Sequence, residues 1–363
     1  MQRFAILGAG VIGLLTARTL LARGHHVLLA DCALPGRAAS WAGGGIVSPL
    51  YPWRYGPAVT ALSDGATEAH RALSLELRSE TGIDPEFNAC GLLMLDPADI
   101  DTAVSWCRTH RRRVVSYAGD ALSCIQSGLG PAGQGLWFPE LGNVRNPRLM
   151  QALIASVSAH PRADCHWRVS VNLTAERDGS LHVDGKRCDV DRIVVTAGAW
   201  SAALLAPFGV ALPVQPVCGQ MLLYPPQPGL LRTIVLRAGR YLIPRRDGRI
   251  LAGSTLEHTG FSKQVTDEAR AQLRASAERM LPSLSRVEPE LQWAGLRPGS
   301  PAGIPFIDAV PGTRVFVNAG HFRNGLVLAP AAAALGVALL LEERTAVDPA
   351  PYRLDAYRDT RLV

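Results

Sequence analysis

The chain has 363 residues, 48% of them hydrophobic and 19% charged, enough for a large buried core and, by length, about two domains. Its formal charge of +6 is almost wholly arginine, Lys186 and Lys263 being the lysines, and no aromatic interleaving accompanies the run Arg111-Arg112-Arg113, so no nucleic-acid partner is expected. The seven cysteines, odd in number and without metal-ligand spacing, argue against a disulfide framework or a metal site and for a cytoplasmic protein.

No basic region leads into an apolar stretch with a cleavage site, because the first apolar run, Phe4-Ala5-Ile6-Leu7, reads as a strand. It opens a nucleotide-binding unit. The run Gly8-Ala9-Gly10-Val11-Ile12-Gly13 follows, then an alanine- and leucine-rich helix to Arg23, a second strand Val27-Leu28-Leu29-Ala30, and Asp31. Gly8 suits the tight turn, Gly10 lets backbone approach a pyrophosphate, and Gly13 lets helix and strand pack closely. The acid suits a ribose hydroxyl and disfavours a 2′-phosphate, which leaves FAD or NAD.

Residues 37–55 form a long loop containing Ser40-Trp41-Ala42-Gly43-Gly44-Gly45-Ile46-Val47 and the aromatic stretch Tyr51-Pro52-Trp53-Arg54-Tyr55. Loops of this length in compact domains are usually functional, and the aromatic stretch suits a lid that restricts a pocket. A helix is expected over 60–80, a strand near 91–95 and a helix over 99–111. Asn146 reads as an N-cap with Pro147 at N1, opening a helix to about 159. A strand over 167–173, a hairpin at Gly179 and a buried strand Arg192-Ile193-Val194-Val195-Thr196 come next. From 213 to 253 the pattern is of strands, read as one antiparallel sheet, followed by a helix over 267–280 and extended chain at Trp293-Ala294-Gly295-Leu296-Arg297. A last buried strand, Arg314-Val315-Phe316-Val317-Asn318, leads into Gly320-His321-Phe322-Arg323-Asn324-Gly325 and a closing apolar helix. The longest apolar run, 329–341, is broken by Pro330 and Gly336 and is too short for a bilayer, so no membrane is expected.

Five of these motifs, in this order, resemble the FAD-dependent D-amino-acid oxidase superfamily (the DAO family), closest to its glycine oxidase branch: Gly8 to Gly13 with Asp31, Ser40 to Val47, Thr196-Ala197-Gly198-Ala199-Trp200-Ser201, a turn at Gly295-Leu296-Arg297-Pro298, and Gly320 to Gly325. The resemblance spans essentially the whole chain. It implies an α/β fold in which a Rossmann-like FAD-binding domain (1–80, 145–205 and 305–363) is interleaved with a mainly antiparallel-sheet substrate domain (81–144 and 206–304). It implies non-covalent FAD, a small amino-acid or amine substrate, molecular oxygen as acceptor and a homo-oligomer. Members oxidise glycine, sarcosine and small D-amino acids by hydride transfer to FAD. The resulting imine hydrolyses to an α-keto acid, oxygen becomes hydrogen peroxide, and in some bacteria iminoglycine supplies the thiazole in thiamine biosynthesis.

By the same resemblance, FAD would contact Gly8, Gly10, Val11, Ile12, Gly13, Asp31 and Ser40. Along its ring side it would meet Ala42, Gly43, Gly44, Gly45, Ile46, Gly198 and Trp200, then Gly320, His321, Arg323, Asn324, Gly325 and Leu326, with Val171, or else Val169, at the adenine. Arg297 maps onto the arginine that grips the substrate carboxylate, where a planar fork makes two parallel charge-assisted bonds. Tyr241 maps onto a tyrosine for the same carboxylate, on a strand facing that of Arg297, and Arg323 would tighten binding. No residue is assigned as acid or base, since the cofactor carries the chemistry. His321 reads as a satisfied structural histidine and Cys218 as a small buried thiol. The rival readings are a D-amino-acid dehydrogenase with a non-oxygen acceptor, an oxidase of a carboxymethylamine on tRNA, and a flavin-binding protein without activity.

Overall fold

A computed structural model describes residues 1–356. One half is built on a six-stranded sheet in the order Phe306–Ala309, Val315–Ala319, Arg192–Val195, Arg3–Leu7, His26–Asp31, Ala163–Trp167, parallel except for the first pairing. Its strands are continuous apolar runs because both faces are covered. Phe4 and Ile6 pack among Leu14, Leu20, Leu328 and Ala332 of the helices Val11–Ala22 and Gly325–Leu340. Their neighbours Ala5 and Leu7 point the other way, onto Leu173, Leu181 and Val183 of a three-stranded sheet. Gly13 is where the first helix meets the first strand: a Cβ there would lie 1.9 Å from the Gly8 carbonyl oxygen, so only glycine permits the approach.

The other half is an eight-stranded sheet in the order Leu291–Gly299, Gln215–Tyr224, Ile250–Gly253, Arg240–Pro244, Ile234–Arg237, Leu92–Leu95, Gln134–Phe138, Val115–Ala118. It is antiparallel save for one parallel pairing, Ile234–Arg237 with Leu92–Leu95. The alternation of strand side chains divides its two faces. Leu222, Tyr224 and Leu242 pack on Leu273, Ala277 and Met280 of the helix Asp267–Met280. Met221, Tyr241 and Ile243 face the parallel-sheet half with Ile46 and Tyr51. This is the mixed architecture that the sequence implies.

Several local expectations are corrected. The helix expected over 60–80 is two, Pro57–Ser63 and Ala66–Thr81, because Gly65 takes a left-handed conformation between them. The strand expected over 167–173 is split by Arg168 at φ 58, so Ala163–Trp167 and Val171–Thr174 join different sheets. Asn146 does not cap its helix; it is the first residue of Asn146–Ser158, and its amide donates instead to the Ser40 carbonyl at 2.7 Å. The turn expected at Gly295-Leu296-Arg297-Pro298 lies within the strand Leu291–Gly299. The closing helical run is longer than the apolar run read from sequence: Phe322–Leu340, 19 residues, is long and apolar enough to cross a membrane, yet it is a core element packed against the first helix and the sheet.

Candidate active site

A cavity of about 660 Å³ lies between the two halves. Its parallel-sheet wall consists of segments that leave the C-terminal ends of four strands: Gly8 to Ile12, Asp31 to Ser40, Thr196 to Trp200, and Ala319 to Val327. Ligands of open α/β sheets bind at such ends, where the strand order reverses, here on either side of Arg3–Leu7.

The first helix opens on the cavity at Gly10, Val11 and Ile12 with no acid in its first turn. Ser40 Oγ accepts the Val11 N–H at 2.9 Å, which brings the hydroxyl to this electropositive end. Asp31 folds the turn around itself, one carboxylate oxygen accepting Ala9 N–H and the other Ala33 N–H, both at 2.8 Å. A second helix start, Asn324 and Gly325, also lines the cavity without a capping side chain. Two helix starts whose own N-cap residues make no side-chain capping bond, an acid beside one of them and the volume of the cavity fit a dinucleotide with a pyrophosphate. Asn324 Nδ2 and His321 Nε2, on residues lining the cavity, are buried with no partner among the described residues, which fits a polar ligand as well.

The antiparallel sheet supplies the opposite wall. Arg297 and Tyr241 both line the cavity. They do not sit on facing strands, as expected from sequence; they share one sheet, separated by two strands, and converge because Arg297 reaches across it. Its Nη2 donates to Ser254 Oγ at 2.7 Å, next to Gly253, the residue paired with Tyr241. Its Nη1 donates to the Cys218 and Thr255 carbonyls, each at 3.2 Å. The slot for the guanidinium exists because Gly219 has no side chain: a Cβ there would meet Arg297 Nη1 at 2.0 Å. Burial, with Arg323 and Arg240 nearby, pulls the Arg297 pKa below its ordinary value while Tyr241 opposes this. Among the described residues no acid pairs with Arg297 or Arg323. The Cys218 thiol is buried and pushed up by desolvation.

Most of the residues singled out from sequence meet at this cavity. Gly8, Gly10, Val11, Ile12, Asp31, Ser40, Gly43, Gly44, Gly45, Ile46, Gly198, Trp200, Tyr241, His321, Arg323, Asn324, Gly325, Leu326 and Arg297 line it, and so does Val171, not Val169. Three do not. Gly13 serves the helix–strand contact, and a Cβ on Gly320 would strike Val214 and Ser300 behind the wall. Ala42 packs on Gly295 and gives its carbonyl to Trp293 Nε1 at 3.1 Å. His321 is not the satisfied histidine expected: its Nε2 lacks a partner, and burial lowers its pKa to about 3, so the ring is neutral. Sequence reasoning missed Ser254 and Lys263 in the lining, whereas Tyr55, from the stretch read as a lid, does line it. It also missed Arg245, whose enclosed guanidinium donates to the carbonyls of Gly44 and Val144, each at 2.9 Å. Nothing in the local pattern of these residues marks them; the Gly253-Ser254 step after a strand was their nearest signal.

The two halves of the fold and this cavity define a nucleotide-dependent oxidoreductase, with a dinucleotide site on one wall and, on the other, an arginine that no acid pairs among the described residues. A family model described as FAD dependent oxidoreductase matches residues 3–339, and the chain belongs to that family. FAD is therefore the cofactor of this class, and residues around the glycine turn and both helix ends suit it. The chain is similar to glycine oxidase of Pseudomonas aeruginosa, 48% identical over 356 residues covering 97% of this chain and 98% of that protein. It is 45% identical to glycine oxidase of Pseudomonas putida, over 97% and 98% of the two chains. The crystal structure of glycine oxidase from Geobacillus kaustophilus superposes with a TM-score of 0.90 at 27% identity, covering 98% of this chain and 100% of that one.

Proposed function

We propose that this protein oxidises the amine of glycine or another small amino acid, with FAD held by segments 1–80, 145–205 and 305–363, and substrate walled by segments 81–144 and 206–304. The observation that carries this reading is Arg297. Its three hydrogen bonds all go to neutral acceptors, which leaves two of the five guanidinium donors for another group. A cation at a cavity wall without an acidic partner calls for an anion, and a carboxylate matches its paired N–H groups. Tyr241 would add its hydroxyl to the same carboxylate, and Arg323 would strengthen the field there.

FAD, when bound, supplies the chemistry by accepting a hydride from the carbon that bears the amine and delivering the electrons to oxygen. The chain's own residues do the positioning. Arg297 and Tyr241 fix the carboxylate, which sets the direction of the α-carbon. Three arginines near that carboxylate, Arg240, Arg297 and Arg323, disfavour an ammonium and so favour the neutral amine. The imine product takes up water to give an α-keto acid and ammonia, glyoxylate where glycine is the substrate, with oxygen leaving as hydrogen peroxide. The family resemblance adds thiamine biosynthesis as a use for the imine, a cytoplasmic setting and a homo-oligomer.

The test is the visible spectrum of the purified protein, recorded without oxygen before and after glycine, with air admitted last. Bleaching by glycine and recovery in air are expected. A flavin spectrum that neither glycine nor sarcosine nor a small D-amino acid bleaches would overturn the reading.

A further inference from the structure

The segment carrying Tyr51, Trp53 and Arg54, which from sequence suits a lid, is firmly tied beside the proposed substrate end. Tyr51 sits in the left-handed region at φ 54, a strained place for an aromatic residue. Such strain persists only where the surroundings over-determine it. Here they do. Tyr51 Oη accepts the N–H of Gly239, which enters the strand of Tyr241, at 2.9 Å. The Arg54 guanidinium lies 4.1 Å from the Tyr51 ring centroid, and Trp53 meets that ring edge-on at 5.8 Å while stacking on Phe138 at 6.4 Å.

One carboxylate holds this arrangement. Asp99 Oδ2 accepts from Trp53 Nε1 at 2.7 Å and from Arg54 Nε at 2.8 Å, and Asp99 Oδ1 accepts from Arg54 Nη2 at 2.9 Å. The pair with Arg54 is the two-point fork that fixes orientation as well as distance.

Behind the segment lies a separate pocket of about 60 Å³ whose wall sets Leu92, Met94, Phe138 and Leu236 beside the charged residues Glu68, Arg112, Arg113 and Glu140. Ser48 and Leu50 line both this pocket and the large cavity, and Tyr55 lines the large one. Ser48 and Leu50, next to Tyr51, thus form a partition between the proposed substrate end and this smaller pocket of mixed lining.

We propose that the Asp99 clamp determines substrate size: it holds the partition shut, so that carboxylates with a large apolar substituent are excluded, and its release adds the smaller pocket, with its Leu92, Met94, Phe138 and Leu236 side, to the substrate end. Asp99 touches no reacting atom and is a positioning residue. This inference rests on the reading of Arg297 as the carboxylate site.

The test uses the FAD-loaded enzyme and two carboxylates, acetate and phenylacetate, titrated against the visible flavin spectrum, so that no turnover is required. The unsubstituted protein should bind acetate and discriminate against phenylacetate. Asp99→Ala should lower the phenylacetate-to-acetate ratio of Kd values by about tenfold, the scale of discrimination set by a pocket wall. Trp53→Phe, which keeps the Arg54 fork, should lower it less. An unchanged ratio in Asp99→Ala overturns the clamp; should that variant not retain FAD, an unchanged ratio in Trp53→Phe does so. Failure of acetate to perturb the unsubstituted protein overturns the reading of Arg297 and the clamp with it, whereas binding with an unmoved ratio overturns the clamp alone.

Discussion

His70 Nε2 donates to the Leu326 carbonyl at 2.9 Å, and Pro330 is the reason that carbonyl is free. In the helix Gly325–Leu340 the Leu326 oxygen would accept the N–H one turn later, but that residue is proline and has none. A histidine from Ala66–Thr81 takes its place, and Leu326 lines the cavity, so the bond also anchors the helix start that faces the cofactor. His70→Leu should cost about 1–3 kcal/mol by leaving a buried carbonyl unsatisfied. Pro330→Ala in the same chain should recover part of that loss by restoring the helix's own donor. Urea denaturation of the two single variants and the double variant measures the coupling, and strictly additive effects would refute it.

The same histidine gives the stability a pH dependence. Burial lowers the His70 pKa from 6.5 to about 4 and that of His321 from 6.5 to about 3, so both rings are neutral when folded. In the unfolded chain each takes up a proton near pH 6.5, and the unfolded state therefore binds more protons below that value. Stability should be fully present above pH 6.5 and fall by roughly 1.4 kcal/mol per pH unit per histidine toward pH 4. Unfolding free energies at a series of pH values check this, and the slope should be shallower by roughly 1.4 kcal/mol per pH unit in His70→Gln.

Arg297→Ala should raise the KM for glycine with FAD still bound, by the equivalent of about 2–5 kcal/mol for removing one partner of a desolvated charge pair. Arg297→Lys should recover only a part, because an ammonium cannot present the fork. Steady-state kinetics measure both; unchanged values would remove Arg297 from the site.

Arg245 joins the two halves through Gly44, and also donates to Asn143 Oδ1 at 3.0 Å. Burial pulls its pKa down to about 10, a cost that its hydrogen bonds offset. Arg245→Met should destabilise the protein by about 2–5 kcal/mol through the acceptors it abandons, and should weaken FAD binding because Gly44 lines the cavity. Thermal unfolding and FAD titration of the stripped protein read the two effects separately. Destabilisation with unaltered FAD affinity would confine Arg245 to a structural role.

The sequence by itself determined the nucleotide-binding unit, since the features from Phe4 to Asp31 are local: a buried apolar strand, glycines where the chain must turn or pack closely, and an acid at the next strand's end. The sheet class of each half was legible in the same way, through unbroken apolar runs in one and a succession of short strands in the other. Only tertiary structure decided what no neighbour in the chain can signal. Arg297 meets Tyr241 across a sheet because Gly219 vacates a slot, His70 answers a carbonyl that Pro330 leaves open, and Asp99 locks a segment that lies far from it in sequence. Each depends on groups distant in the chain that only folding brings together, and for the buried His70 and Arg297 the cost of leaving a polar group unpaired fixes the arrangement.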